Sequence, residues 1–342
     1  MREAIAAAEV GDEQLREDPT VNELERRAAE TLGQEDSVFV PTATMANEIA
    51  LRVLSDPGDE LIAEENAHLL IAELGGPAVH AGLMTRPLRG RAGRFGPDEV
   101  RAAAHRGDLG HVPTTRIVAI ENTHNASGGR IWPVREVVEL AETCRDLELA
   151  LHLDGARLFN AAVATGEDPG AFAGHADTVT ICFSKGLGCP LGAVVAGSSE
   201  RMLRARRFKH QFGGAMRQAG IVAAACVYAL DHHVDRLAED HARARRLAES
   251  LHAADAPVDL EQVETNFVQI DVGSLGLEQA EAIERLVGEG VRLSGTMMPG
   301  RIRAVVHLGI TDDDIDRASE AIPRALGIQR SPTAKNAPAT PA

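Results

Sequence analysis

From Asp36 onward, short apolar runs rich in β-branched residues alternate with amphipathic stretches of helical period. That alternation restricts the fold to an α/β architecture, a mainly parallel sheet covered by helices on both faces. The predicted strands are residues 37–41, 60–63, 116–121, 149–154, 179–184 and 193–196. Between the third and fourth, residues 133–147 repeat Val134, Val137, Val138, Leu140, Ala141 and Cys144 at helical spacing behind Pro133, read as the first helical residue of a crossover helix. Residues 219–230 read as an alanine-rich helix, and residues 232–254 set Leu237, Ala238, Ala242, Leu247 and Leu251 on one face. This helix leads into a small α+β region with strands at 266–272 and 303–308 and helices at 278–289 and 313–326. A chain of 342 residues, 44% of them hydrophobic, can bury a substantial core. The expected division is a large domain over 1–235, a small C-terminal domain over 236–328, and a disordered tail over 329–342 with too few apolar residues to offset the entropy of ordering.

Reactive groups in parallel α/β sheets collect at the carboxyl ends of strands. The predicted strand 179–184 ends in Ser184-Lys185-Gly186-Leu187-Gly188, which brings one lysine to the mouth of a glycine-rich turn. Its neighbour in sequence, 149–154, ends in Asp154-Gly155-Ala156-Arg157. A Schiff-base lysine, a carboxylate able to pair with a pyridinium nitrogen, and small loops for a phosphate are the parts that pyridoxal phosphate (PLP) chemistry requires. Thr42-Ala43-Thr44 joins a strand to a helix expected to begin near Met45. Backbone N–H groups, the Thr44 hydroxyl and the helix dipole there converge on an anion, and Thr44 also reads as the helix N-cap. Plainer readings stand beside these: Lys185 as a solvated lysine, and Asp154 with Arg157 as a surface pair.

Net charge of −16, from 51 acidic and 35 basic residues, opposes binding to nucleic acid or an anionic membrane surface. No segment approaches the ~18 uninterrupted apolar residues of a membrane span, and the first residues lack the apolar stretch of a signal peptide. Cys144, Cys182, Cys189 and Cys226 lie far apart with no C-x-x-C pair, which points away from a zinc knuckle or disulfide framework and toward a reducing cytoplasm. No metal site is predicted.

Six motifs occur in order: Glu17-Asp18-Pro19-Thr20-Val21-Asn22, Thr42-Ala43-Thr44-Met45-Ala46-Asn47, Glu121-Asn122-Thr123-His124-Asn125, the Asp154 and Lys185 units, and Gly213-Gly214-Ala215-Met216-Arg217-Gln218. With them the chain resembles, from Gly11 to Ile328, the threonine aldolases of the β-eliminating lyase group, which are fold-type I PLP enzymes. The resemblance implies that Lys185 carries the cofactor, that Asp154 holds its ring nitrogen, and that Arg157 meets its phenolic oxygen or the substrate carboxylate. Thr42, Ala43, Thr44 and Ser184 would complete the cofactor cradle. By the same resemblance His68 stacks on the cofactor ring, His124 lines the substrate side chain, and Arg303 clamps the substrate carboxylate. Either histidine, or a water one of them orients, is a candidate base for the β-hydroxyl. His210 and Arg217 fall in a stretch that in the family supports the dimer and the phosphate of a neighbouring subunit.

The implied reaction is cleavage of L-threonine, L-allo-threonine and related β-hydroxy-α-amino acids to glycine and an aldehyde, in a cytoplasmic homodimer or homotetramer with active sites at the dimer interface. Another PLP-dependent elimination on the same scaffold, or a PLP-binding but catalytically impaired relative, are the rival readings. Four features depart from the family pattern: Ala43 replaces a usual glycine, His210 a usual lysine, and Leu15 a frequent tyrosine, while the chain opens inside a helix that an Arg-Ser-Asp-Thr segment normally precedes. That segment's serine approaches the substrate carboxylate, so the expectation is either a start codon further upstream, with Met1 an internal methionine, or a truncation, and in this 342-residue form PLP binding with poor threonine cleavage.

Overall fold

A computed structural model describes residues 1–107 and 110–328, so the predicted tail lies outside the described residues. Its strands are β1 (Asp36–Val40), β2 (Glu60–Glu64), β3 (Met84–Leu88), β4 (Thr115–Glu121), β5 (Ala150–Gly155), β6 (Thr178–Cys182), β7 (Ala193–Gly197), β8 (Phe267–Asp271), β9 (Ser294–Gly295) and β10 (Arg301–Val305). Seven of them form one sheet in the order β1-β7-β6-β5-β4-β2-β3, and the others form a second sheet in the order β8-β10-β9. In the large sheet β3, β2, β4, β5 and β6 pair in parallel. β7 is antiparallel to both β6 and β1. The reason is length: residues 183–192 between β6 and β7 are too few for a crossover, so the chain must turn back.

The sheet buries both faces, which is why its strands read as apolar runs. On one face Val118, Ile120, Leu151, Leu153, Val179 and Ile181 pack with Leu24, Trp132, Leu140 and Phe172. On the other, Val38, Val40 and Val195 pack with Ile49 and Val53 of the helix Ala43–Leu54. Each such side chain, fully removed from water, contributes about 1.5–3 kcal/mol before entropy is counted. The second sheet is backed by the helices Leu237–Ala253 and Asp312–Ala325, whose Leu247, Leu251, Ile315 and Ile322 close over Val268, Ile270 and Ile302.

Each of the six predicted strands of the large sheet is present, with ends moved by one or two residues. β3 escaped the sequence reading because it is a half-exposed edge strand carrying Arg86 and Pro87, which an edge tolerates and an apolar-run criterion rejects. Pro133 is the N-cap of the helix Val134–Asp146 and stands just outside it, with φ −62° and ψ 143°. The helix expected near Met45 starts at Ala43, because extended Thr42 caps it by accepting from the Met45 N–H at 3.2 Å. Thr44 therefore lies inside the first turn. The predicted helical stretch 232–254 is divided: one helix ends at His232 and the next begins at Leu237. Among the described residues no helix is long and apolar enough to cross a membrane.

Candidate active site

β5 and β6 are parallel neighbours in which Asp154 pairs with Thr180, so Asp154 and the Lys185 turn leave the sheet at the same carboxyl edge. The Lys185 carbonyl accepts from Gly188 N–H at 2.9 Å, closing a turn that Gly188 completes at φ +71°, a conformation glycine adopts without strain. Among the described residues the half-buried Lys185 amine has no hydrogen-bond or ion-pair partner. Ser184 beside it is exposed, its Oγ 3.4 Å from Cys182 Sγ.

Asp154 is 2% exposed, and each of its oxygens has a donor. Oδ1 accepts from the Ala156 N–H at 3.0 Å, and Oδ2 from Asn47 Nδ2 at 2.9 Å. The same Asn47 nitrogen reaches Glu73 Oε1 at 2.9 Å, while Asn47 Oδ1 lies 3.3 Å from His152 Nε2. With its nitrogen between two carboxylates, the amide oxygen must accept, so His152 carries its proton on Nε2 and receives the Thr178 hydroxyl on Nδ1 at 2.9 Å. Burial lowers the His152 pKa to about 4, which keeps that imidazole neutral. The helix Ala43–Leu54 thus performs two tasks: Asn47 brackets Asp154, and its first turn presents N–H groups beside the exposed hydroxyls of Thr42 and Thr44. Loop 213–216 closes on that turn so tightly that a Cβ on Gly214 would come within 2.2 Å of Met45 Sδ.

His68 opens a short helix, with its N–H donating to Glu121 Oε2 at 2.8 Å and its Nδ1 lying 2.7 Å from Glu73 Oε1. The hydrogen bond to Glu73 raises the His68 pKa against the cost of burial, with Asp154 and Glu121 adding to the rise. Its side chain keeps 28% exposure, so Nε2 is the nitrogen left for chemistry. Glu121 also accepts the Asn125 N–H at 2.9 Å, tying the two loops together.

His124 differs from its expected role. It has no exposed surface, its Nε2 lies 3.2 Å from Glu64 Oε2, and a Cβ on Gly93 would come within 2.2 Å of its Cγ. Covered in this way it does not line an open substrate pocket. Burial opposes its protonation, yet Glu121 and Glu64 together raise its pKa.

Arg157 and Arg303 arrive from different sheets and share one aromatic ring, with guanidinium carbons 4.6 and 5.1 Å from the centre of Phe267. Arg303 donates to Asn125 Oδ1, and to Ser294 Oγ at 3.3 Å. Burial lowers the pKa of both guanidinium groups, and their mutual repulsion acts in the same direction on Arg157. Two partly desolvated cations side by side are suited to a carboxylate ligand. His210 and Arg217 join none of these contacts. His210 is exposed on the helix Ser199–Gln211, and Arg217 donates to Gln14 at 3.0 Å and pairs with Asp12 at 3.3 Å. In the same basic run Arg206 is bound to Glu25 and Asp36, and Lys209 to Glu13.

His68, Glu73 and Asp154 present ligand atoms within 4.8 Å of one another, a spacing a metal ion also needs. Asn47 already donates to both carboxylates, and a cation would have to displace that amide. Sequence reasoning passed over Asn47, Glu121 and Asn125, although each stands in a motif it singled out. His152 had a signal too, since it lies two residues before Asp154 and a strand's period places both on one face. Glu73 and Phe267 had none.

The layout of this sheet, with a lysine, a bracketed carboxylate and a helix N-terminus at its carboxyl edge, is that of the fold-type I PLP-dependent enzymes. The chain belongs to the beta-eliminating lyase family, whose model matches residues 1–273. It is 39% identical over 317 residues to the low specificity L-threonine aldolase of Escherichia coli K12, covering 92% of each chain. It is 38% identical over 324 residues to the probable low-specificity L-threonine aldolase 2 of Arabidopsis thaliana, covering 92% of this chain and 90% of the relative. Among solved structures, the threonine aldolase of Leishmania major superposes with a TM-score of 0.79 at 20% identity, covering 91% of this chain and 90% of that one. An aspartate aminotransferase double mutant of Thermus thermophilus superposes at 0.72 with 18% identity, over 95% and 87% of the two chains, which carries the fold alone.

Proposed function

We propose that this chain is a PLP-dependent aldehyde-lyase that cleaves the Cα–Cβ bond of L-threonine, L-allo-threonine and related β-hydroxy-α-amino acids, releasing an aldehyde and then glycine. The observation that carries this reading is the buried Asp154, held by Asn47 and the Ala156 N–H at the edge where the Lys185 turn emerges. The donor set fits the cofactor: an amine for covalent attachment, a carboxylate for the pyridinium nitrogen, and the first turn of the helix Ala43–Leu54 with Thr42, Thr44 and Ser184 for the phosphate. When bound, PLP supplies an electron sink for the charge left at Cα.

The chain's own groups do the rest. His68 offers the ring a stacking partner and, through Nε2, a base for the β-hydroxyl proton. Arg157 and Arg303 hold the substrate carboxylate and so set the scissile bond relative to the ring, which decides whether C–C or C–H cleavage occurs. Arg303 comes from the second sheet, so the region 236–328 supplies one arm of the carboxylate clamp, and the region 1–235 supplies the other, Arg157, with the cofactor cradle. His124 is assigned a bracing role behind Glu121 and Glu64. We place the enzyme in the cytoplasm as a homodimer or homotetramer, with His210 and Arg217 toward a neighbouring subunit.

Borohydride reduction of the PLP-loaded protein followed by peptide mapping tests the attachment. The expected adduct is on Lys185, and an adduct on any other lysine, or none, overturns the assignment.

A further inference from the structure

The reading of His68 as the base leaves one buried acid, Glu48, without a task behind Glu73, the carboxylate that holds the His68 ring. Glu48 follows Asn47 on the helix Ala43–Leu54 and is 2% exposed, and Glu73 is 6% exposed. Neither Glu48 oxygen nor Glu73 Oε2 finds a donor among the described N–H and O–H groups. A Cβ on Gly76 would lie 1.9 Å from Glu48 Oε1, so backbone seals the carboxyl where a side chain would otherwise stand. Buried polar atoms without partners are costly and call for an explanation. Each can supply one to the other: Glu48 and Glu73 act directly on one another, and a hydrogen bond between two carboxyls forms only if one of the pair carries a proton.

We propose that Glu48 is a positioning residue: its protonated carboxyl donates to Glu73 Oε2, fixing Glu73 so that Oε1 holds the His68 ring with Nδ1–H inward and Nε2 free. Glu73 Oε1 already serves two donors, Asn47 Nδ2 at 2.9 Å and His68 Nδ1 at 2.7 Å. With Oε2 buried and bare, Glu73 would favour taking a proton itself, and His68 would lose the acceptor that sets its tautomer. Burial first, and the charge of Glu73 second, raise the Glu48 pKa to about 9, so the shared proton resides on Glu48 at neutral pH. Among the described residues Glu73, Asp154 and Glu121 favour the charged form of His68, and Glu73 is the charged group that acts on Glu48. The arrangement extends the base-and-orienter pair of acyl-transfer enzymes by one residue, with a neutral acid steadying the orienting carboxylate.

This inference rests on the aldolase reading, but its first two tests use the protein without cofactor. Infrared difference spectra of wild type against E48Q at pH 7 should show the C=O stretch of a protonated carboxyl in wild type and its loss in the variant. Nitrogen NMR of labelled histidine, with His68 assigned by H68N, should show Nδ1 protonated in wild type and in E48Q, whose amide can still donate, and a shift toward the other tautomer in E48L. In the loaded enzyme E48L should lower kcat by about tenfold to a hundredfold with little change in KM, and E48Q should restore most of it. An unchanged carboxyl band in E48Q overturns the proposal even if E48L does not fold. So does a folded E48L whose His68 nitrogens and kcat match wild type. Wild-type protein with the expected band and tautomer but no threonine cleavage would instead overturn the aldolase reading.

Discussion

Replacing Asn47 by alanine removes a side chain that touches Asp154, Glu73 and His152 together. Two of its hydrogen bonds go to buried carboxylates, and bonds to charged groups contribute about 1.5–3 kcal/mol each. Their loss sums to roughly 3–6 kcal/mol, and shared use of one amide nitrogen places the expected cost near the lower half, about 3–4 kcal/mol. For a chain of this size that is a fall in Tm of about 4–6 °C, and the loss is a large share of a typical stability of ~5–15 kcal/mol. The single tryptophan, Trp132, is 1% exposed in the main core and reports unfolding by fluorescence without added labels. PLP titration of the same sample should show weakened affinity, because Asp154 loses the donor that fixes Oδ2. Asn47→Asp should be worse than alanine, since a third carboxylate would face the other two. A Tm within ~1 °C of wild type together with unchanged PLP affinity would refute the claim that this amide organises the site.

Arg303→Lys keeps the charge and loses the planar fork, so kcat/KM for L-threonine should fall by about 10²-fold in steady-state assays while PLP affinity stays the same. Because Glu73 raises the His68 pKa and the base must be neutral, the acid limb of kcat/KM should lie above the ordinary imidazole value, and E73Q should move it to lower pH. The stability linkage has the matching sign: a raised imidazole pKa stabilises the fold below its unfolded value and loses that contribution as pH rises through the folded value. E73Q should therefore destabilise more at mildly acidic than at alkaline pH in thermal scans. Arg206→Ala should cost about 3–5 kcal/mol in denaturant melts, since it strands Glu25, whose pKa burial already holds up against the attraction of Arg206.

The large sheet was legible because its strands are buried on both faces and so write themselves as apolar runs; β3, exposed at an edge, wrote nothing of the kind. Lys185 and Asp154 were legible for a related reason, since each is a charged residue placed where an apolar strand stops. The residues that hold them were harder to see. Asn47 lies in a helix 107 positions from Asp154, and no period connects the two. Glu48 in a helix and Glu73 in the bend between two short helices carry no sequence pattern that marks them as buried, and only folding shows that both are. His124 shows the converse limit: a motif locates it in the chain, but exposure is a property of the surrounding loops, and the loop at Gly93 covers it. Arg206 and Lys209 stand on a helix rich in basic residues yet are committed to Glu25, Asp36 and Glu13, a partnership no local pattern announces.

The central claim is carbon–carbon cleavage, and it is tested most directly by carbon NMR of uniformly 13C-labelled L-threonine incubated with PLP-loaded protein. The account predicts glycine and acetaldehyde in equal amounts, with neither formed by Lys185→Ala. Release of ammonia with 2-oxobutanoate in place of glycine and acetaldehyde would contradict it.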